Sequence, residues 1–143
     1  MTQEEKQLLL RDLCGRLLYG VFVEYDYGDG VKRATKIHGN YLYLMMLGKL
    51  QWKDFKPYLR PMSSMTEAEI EELKELMGTD EVKQYGFSYS GLIGECFGMM
   101  YDDCSTIVDY LNSHYLDYRG LIPMGLALVA PYGMYTTDQN KKP

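Results

Sequence analysis

Cysteine is sparse in this chain. Cys14, Cys96 and Cys104 are all it has, and no Cys-x-x-Cys pair occurs. An odd, scattered set argues against a disulfide scaffold and fits a reducing compartment. Histidine is scarcer, with only His38 and His114. Neither histidine nor cysteine falls at zinc-like spacing, so no metal site is expected. Long apolar runs are missing too. The longest, Tyr41 to Leu47, is far short of the roughly 20 residues of a membrane helix. The opening Thr2-Gln3-Glu4-Glu5 is acidic where a secretory signal is basic, and no small-residue cleavage site follows. The expected location is therefore the cytoplasm, with no membrane partner. Basic residues are outnumbered, 15 Lys and Arg against 20 Asp and Glu, for a net charge of −5. Such a chain lacks the positive field that drives general binding to a nucleic-acid backbone.

What is present reads as an ordinary globular chain. Its 143 residues are 46% hydrophobic and 24% charged, enough for one domain with its own core. The expected organisation is a single α+β domain over residues 1–135 and a flexible polar tail over 136–143. Thr2 with Glu5 forms a capping box, and Leu9, Leu10, Leu13, Cys14 and Leu17 recur at helical spacing, predicting a helix from about Thr2 to Leu17. Val21 to Tyr27 alternates as a strand, Gly28-Asp29-Gly30 supplies a turn, and Val31 to His38 gives a second strand. Tyr41 to Leu47, apolar on both faces, reads as a central strand completing an antiparallel meander. Trp52 to Leu59 reads either as a fourth strand or as an irregular segment, since Pro57 and Pro61 limit pairing.

A second helix opens at Thr66 with the box Thr66–Glu69, buries Ile70, Leu73 and Met77, and ends at Gly78. Glu67, Glu69, Glu71, Glu72 and Glu75 leave its outer face acidic. Gly86 to Gly98 reads as a glycine-rich loop or a short helix. A third helix, capped by Asp102 or Asp103, runs to about Tyr115 with Ile107, Val108, Leu111 and Tyr115 inward. The fold class is thus α+β: a small antiparallel sheet of three to five strands with about three helices. The first and last helices are expected on one face of the sheet.

Several stretches together resemble a family of small proteins from Bacteroides-type gut bacteria and their phages and prophages. They are Thr2-Gln3-Glu4-Glu5-Lys6, Lys56-Pro57-Tyr58-Leu59-Arg60-Pro61, Ser63-Ser64-Met65-Thr66-Glu67, and Asp117-Tyr118-Arg119-Gly120-Leu121-Ile122. Gly125-Leu126-Ala127, Ala130-Pro131 and Gly133-Met134-Tyr135 extend the last of these. The resemblance implies a mobile-element setting in a bacterial host cell and brings no catalytic residues with it.

No catalytic motif stands out. Gly86-Phe87-Ser88-Tyr89-Ser90 has serine where a nucleophile elbow needs its second glycine. No Gly-x-x-x-x-Gly-Lys run exists. Asp26-Tyr27-Gly28-Asp29-Gly30 lacks the alternating oxygen ligands of a calcium loop. His114 and Asp117 would share a helical face, but His114 reads better as a residue facing the last carbonyls of a helix. Lys32, Arg33, Lys36 and His38 make a local basic patch, readable as a solvated edge or a phosphate receiver.

The composition itself is the remaining signal: 14 tyrosines and 10 methionines, types that suit interfaces and pockets. Two expectations follow. In the first, the chain is a non-enzymatic binder of a small anionic, nucleotide-like ligand that sequesters an immune signal. Tyr118 and Arg119 lead its site, followed by Arg60, Tyr132 and Tyr135, with no cofactor and no nucleic acid. In the second, it is a protein–protein interaction module that modulates a host protein through a Tyr/Met surface and the acidic helix. Homo-oligomerisation is expected in either case.

Overall fold

The structure, a computed structural model, describes residues 1–26, 29–49, 55–77 and 101–135, with side chains for 1–26, 29–49, 55–76 and 106–135. The chain forms two compact units. The first comprises Met1–Leu59 and Leu121–Val129, the second Arg60–Gly120 and Ala130–Pro143. The Gly78 cap, the Met77 side chain, residues 50–54, the Gly86 to Gly98 stretch and the 136–143 tail lie outside the described residues, while Lys56–Leu59 of the Trp52 to Leu59 segment is a strand, the first of the two readings given for it.

The first unit opens with helix α1, Gln3–Arg16, and Thr2 and Glu5 close the expected capping box at its start. Its buried stripe is Leu9, Asp12, Leu13 and Arg16, so Cys14 of the expected apolar stripe is exposed instead. Two charged residues enter the core because they satisfy each other. Arg16 Nε and Nη2 donate to Asp12 Oδ2 and Oδ1 at 2.9 and 3.0 Å, with both side chains fully buried. The i,i+4 spacing with the acid N-terminal to the base sets that geometry within one helix.

Strands β1, Phe22–Asp26, and β2, Lys32–Lys36, form the expected hairpin, in antiparallel register from Phe22↔Lys36 to Asp26↔Lys32. The predicted strand over Tyr41 to Leu47 is a helix, α2, Gly39–Met46. The run has no β-branched residue, and its leucines and methionines favour helix. Leu42 and Met45, three residues apart, bury one face. Gly48, at φ +75°, stops the helix: its N–H donates to Met45 O and that of Lys49 to Leu44 O, a Schellman closure that needs a left-handed residue.

The strand expected there is supplied by β3, Lys56–Leu59, which pairs antiparallel with β1 (Val23↔Pro57). On its other side β3 pairs with β4, Leu128–Val129, in parallel (Tyr58↔Leu128). The sheet order is β2-β1-β3-β4, so the small sheet is mixed, and the antiparallel meander is replaced by a strand drawn from later in the chain. Val21, Val23, Ile37, Phe55 and Leu59 bury the inner face. Tyr25 stacks on Phe55 at 4.3 Å, and Tyr41 of α2 meets the same ring. The outer face is polar: Tyr58 Oη donates to Glu24, and Lys32 lies 3.6 Å from it.

The second unit holds helix α3, Glu67–Met77, and helix α4, Tyr101–Ser113. Asp102 and Asp103 fall within α4 rather than capping it. Leu73 of α3 packs with Ile107 and Leu111 of α4, and with Met65, Leu116 and Tyr118. The stripe of α4 is therefore answered by α3 within this unit. With four α-helices and a four-stranded sheet among the described residues, the fold is α+β.

The Asp12–Arg16 pair generates a stability prediction. Asp12→Ala strands a guanidinium in the core and should lower unfolding free energy by on the order of 3 kcal/mol. Replacing both residues by methionine should cost much less, because no charge is then left buried. Urea unfolding midpoints of the three proteins check this.

Candidate functional site

All five residues singled out from the sequence fall in the second unit, and the structure shows how each is held. Arg60 is the best anchored. Its backbone forms a parallel bridge with Leu116: Arg60 N–H donates to Tyr115 O at 2.7 Å, and Asp117 N–H donates to Arg60 O at 2.8 Å. Its guanidinium grips Glu69 as a fork, Nη1 to Oε2 and Nη2 to Oε1, both at 2.8 Å. Nη1 also donates to His114 O at 3.2 Å and Nη2 to Ser64 O at 3.1 Å.

Glu69 has a second duty, since it is the capping-box acid of α3. Its Oε1 accepts from Thr66 N–H at 2.9 Å while Thr66 Oγ1 accepts from Glu69 N–H. Glu69 is therefore buried and not part of the acidic outer face, which consists of the exposed Glu67, Glu71, Glu72 and Glu75. Burial alone would raise the Glu69 carboxyl. The hydrogen bonds from Arg60 and Thr66 and the charges of Arg60 and His114 outweigh it and hold the pKa at about 2.

The end of α4 closes on Arg60. Tyr115 adopts a left-handed φ of 60°, its N–H donates to Asn112 O, and Leu116 N–H donates to Leu111 O. This is again a Schellman closure, with tyrosine where glycine is usual, at a cost of roughly 1–2 kcal/mol. The Tyr115 ring stacks flat on Tyr135 at 3.6 Å, and Tyr135 is buried. His114 sits where its ring Nδ1 lies 2.9 Å from Tyr110 O, so it faces the last helical carbonyls and stacks on Tyr110 at 4.0 Å. Tyr110 Oη donates to Glu69 O, and burial first, then Glu72 and Glu69, push its pKa above the ordinary phenol value.

Tyr118 lies in the core, and its hydroxyl donates to the buried Asn112 Oδ1 at 3.0 Å. The Arg119 guanidinium lies 4.7 Å from the Tyr118 ring centre, a cation–π contact. Tyr132 alone among the five projects outward, 83% exposed, in a turn closed by Met134 N–H on Pro131 O. Arg60 is thus joined to the start of α3 and the end of α4, Tyr118 to Arg119, and Tyr135 to Tyr115.

The surface the sequence reading missed is on α2. Tyr43, Met46 and Leu47, at i, i+3 and i+4, are 62%, 66% and 52% exposed, and the segment Gly39 to Leu47 has no Asp, Glu, Lys or Arg. The signal was available in Leu42 and Met45 on one side and Gly48 at the end. A short apolar run, however, does not by periodicity alone separate strand from helix. Among the described residues no group of His, Cys, Asp and Glu is placed to hold a metal ion, and no helix is long and apolar enough to cross a membrane. Comparison with protein-family models, curated proteins and solved structures finds no match to this chain.

The hub predicts an acid-sensitive second unit. Glu69 is bound more tightly as the carboxylate than in the unfolded chain. Its contribution is complete above its ordinary value of 4.5 and is lost as pH falls from there toward about 2. Glu69→Gln should therefore be less stable than the parent at pH 7, with the gap narrowing at pH 3. Urea unfolding followed at both pH values checks this.

Proposed function

We propose that this chain is a non-enzymatic interaction module, acting in a bacterial cytoplasm, that seats helix α2 in an apolar groove on a partner protein. One observation carries the reading: an exposed, uncharged Tyr43–Met46–Leu47 face on a helix that already buries Leu42 and Met45 in its own core. Apolar anchors at i, i+3 and i+4 are the pattern by which a helix engages a groove. The absence of charge from the segment fits an apolar lining and not a basic or acidic one. Three side chains are far too few for a flat dimer interface of about 800 Å² per partner, whereas a groove surrounds the helix. The expected phage or prophage setting agrees with a module that modulates a host protein.

The ligand-binding reading is the second one, carried by the outward Tyr132 and by Arg119 over Tyr118. It is the weaker reading because Arg60, Tyr118 and Tyr135 are engaged in contacts within the unit.

One experiment separates the two. Native mass spectra are recorded for the protein alone, with a pool of cyclic dinucleotides and cyclic trinucleotides, and after pull-down from host lysate. The expected result is a stoichiometric protein partner whose affinity falls at least tenfold in Met46→Glu with unchanged melting temperature, as for an interface anchor. A nucleotide mass gained by the parent and lost in Arg119→Ala overturns this reading in favour of the binder. A homodimer dispersed by Met46→Glu assigns the face to a second copy instead.

A further inference from the structure

Strand β2 is one of the two edge strands of the sheet, and its side chains are exposed at Lys32, Arg33, Ala34 and Lys36. The hydrogen-bond parity of the hairpin shows which backbone groups face outward. Ile37 N–H donates to Val21 O at 2.9 Å, so Val21 and Ile37 are a hydrogen-bonded pair. Alternation along an antiparallel ladder puts Val23/Thr35 and Tyr25/Arg33 in the same class. The N–H and C=O groups of Lys32, Ala34 and Lys36 therefore point away from β1. Among the described residues no strand pairs with them.

Sheet edges are commonly blunted by proline, a bulge, a very short strand or charged residues, lysine above all. β2 has only the last of these: its five-residue register with β1 is unbroken and it contains no proline. What it has is lysine. Lys32 and Lys36 flank Ala34 on one face, where Lys32 also lies 3.6 Å from Glu24 of β1 and Lys36 lies over the Phe22 ring, and the strand has no acid. Arg33, on the other face, is forked by Asp29. A second β2 laid antiparallel against this edge would bring lysine close to lysine, which is destabilising. An acidic strand would place carboxylates beside Lys32 and Lys36 and leave small Ala34 between them.

We propose that the open edge of β2 is a strand-addition site for an extended, acidic segment of a partner protein. Carboxylates alternate along the face that meets Lys32 and Lys36, and the main-chain groups of Lys32, Ala34 and Lys36 form the new ladder. The proposal does not rest on the α2 reading, since it uses a different element and a different chemistry.

The probe is a synthetic peptide alternating glutamate and valine, titrated into the full chain, with a lysine–valine peptide as control. Saturable binding is expected, weakening with added salt, as the acidic contacts require. Amide hydrogen exchange should slow at Lys32, Ala34 and Lys36 and stay unchanged at Arg33 and Thr35. Ala34→Pro removes an outward N–H and spares the β1 ladder, so it should abolish binding. Lys32→Glu with Lys36→Glu should weaken binding by at least about tenfold; this variant decides the matter if Ala34→Pro does not fold. Met46→Glu should bind the peptide normally, which separates failure here from failure of the α2 reading. No binding by the parent, equal binding of the lysine–valine peptide, or binding retained by a folded Ala34→Pro overturns the proposal.

Discussion

Arg60 and Glu69 are an ion pair largely removed from water, 13% and 8% exposed, and the second unit is arranged around them. Burying opposite charges is favourable only when geometry is good and the remaining hydrogen-bonding capacity is met. Both conditions hold. The fork is two-pronged, and the outer valences go to Thr66 N–H, Ser64 O and His114 O. The pair also agrees with both helix dipoles: the carboxylate lies at the positive start of α3 and the guanidinium touches a carbonyl at the negative end of α4. One contact thus fixes where one helix begins and another ends. The backbone bridge from Arg60 to Tyr115 and Asp117 ties the two helix ends together a second time.

The same hub explains the left-handed Tyr115. Glycine would reach φ 60° with less strain, but it would leave Tyr135 without its stacking partner. Tyrosine hydroxyls, which a small core has difficulty accommodating, are given partners one by one: Tyr118 donates to Asn112, Tyr110 to Glu69 O, and Tyr58 to Glu24. Each of these tyrosines brings a large apolar ring into a small fold and satisfies its polar tip there. A high tyrosine count is in these cases a packing solution.

Local chemistry was legible in the sequence. Both capping boxes, the β1–β2 hairpin and the packing of Ile70 and Leu73 of α3 with Ile107, Val108 and Leu111 of α4 follow from spacing alone. The mistaken sheet order has its origin in contacts distant along the chain, and the mistaken stripe of α1 in a local one. The place beside β1 that 41–47 was expected to fill is taken by β3, which contains Pro57, a residue that argued against pairing. The parallel partner of β3 lies far along the chain, at Leu128–Val129. In α1 the buried stripe includes Asp12 and Arg16 because they neutralise each other, a pairing that hydrophobic periodicity counts as polar and turns outward. The fork between Arg60 and Glu69 is nine residues apart and crosses a turn, so neither a helical nor a strand period reveals it.

This bears on how binding residues are sought in a chain without a catalytic motif. Arginine and tyrosine near turns attract notice because they can hold phosphate or stack a base. Those properties also make them good internal fasteners: a guanidinium that forks a carboxylate closes a helix, and a ring that stacks supports a strained turn. Arg60, Tyr118 and Tyr135 are used in this way. Among the described residues, two further surfaces are of a different kind. One is an uncharged helix face, and the other is a row of main-chain groups beside lysines. Neither has a sequence motif, because the first depends on which side of α2 the core occupies and the second on the hydrogen-bond parity of a hairpin. In this protein Arg60, Tyr118 and Tyr135 serve the fold, while the exposed helix face and the open strand edge follow from how α2 and the hairpin are set in it.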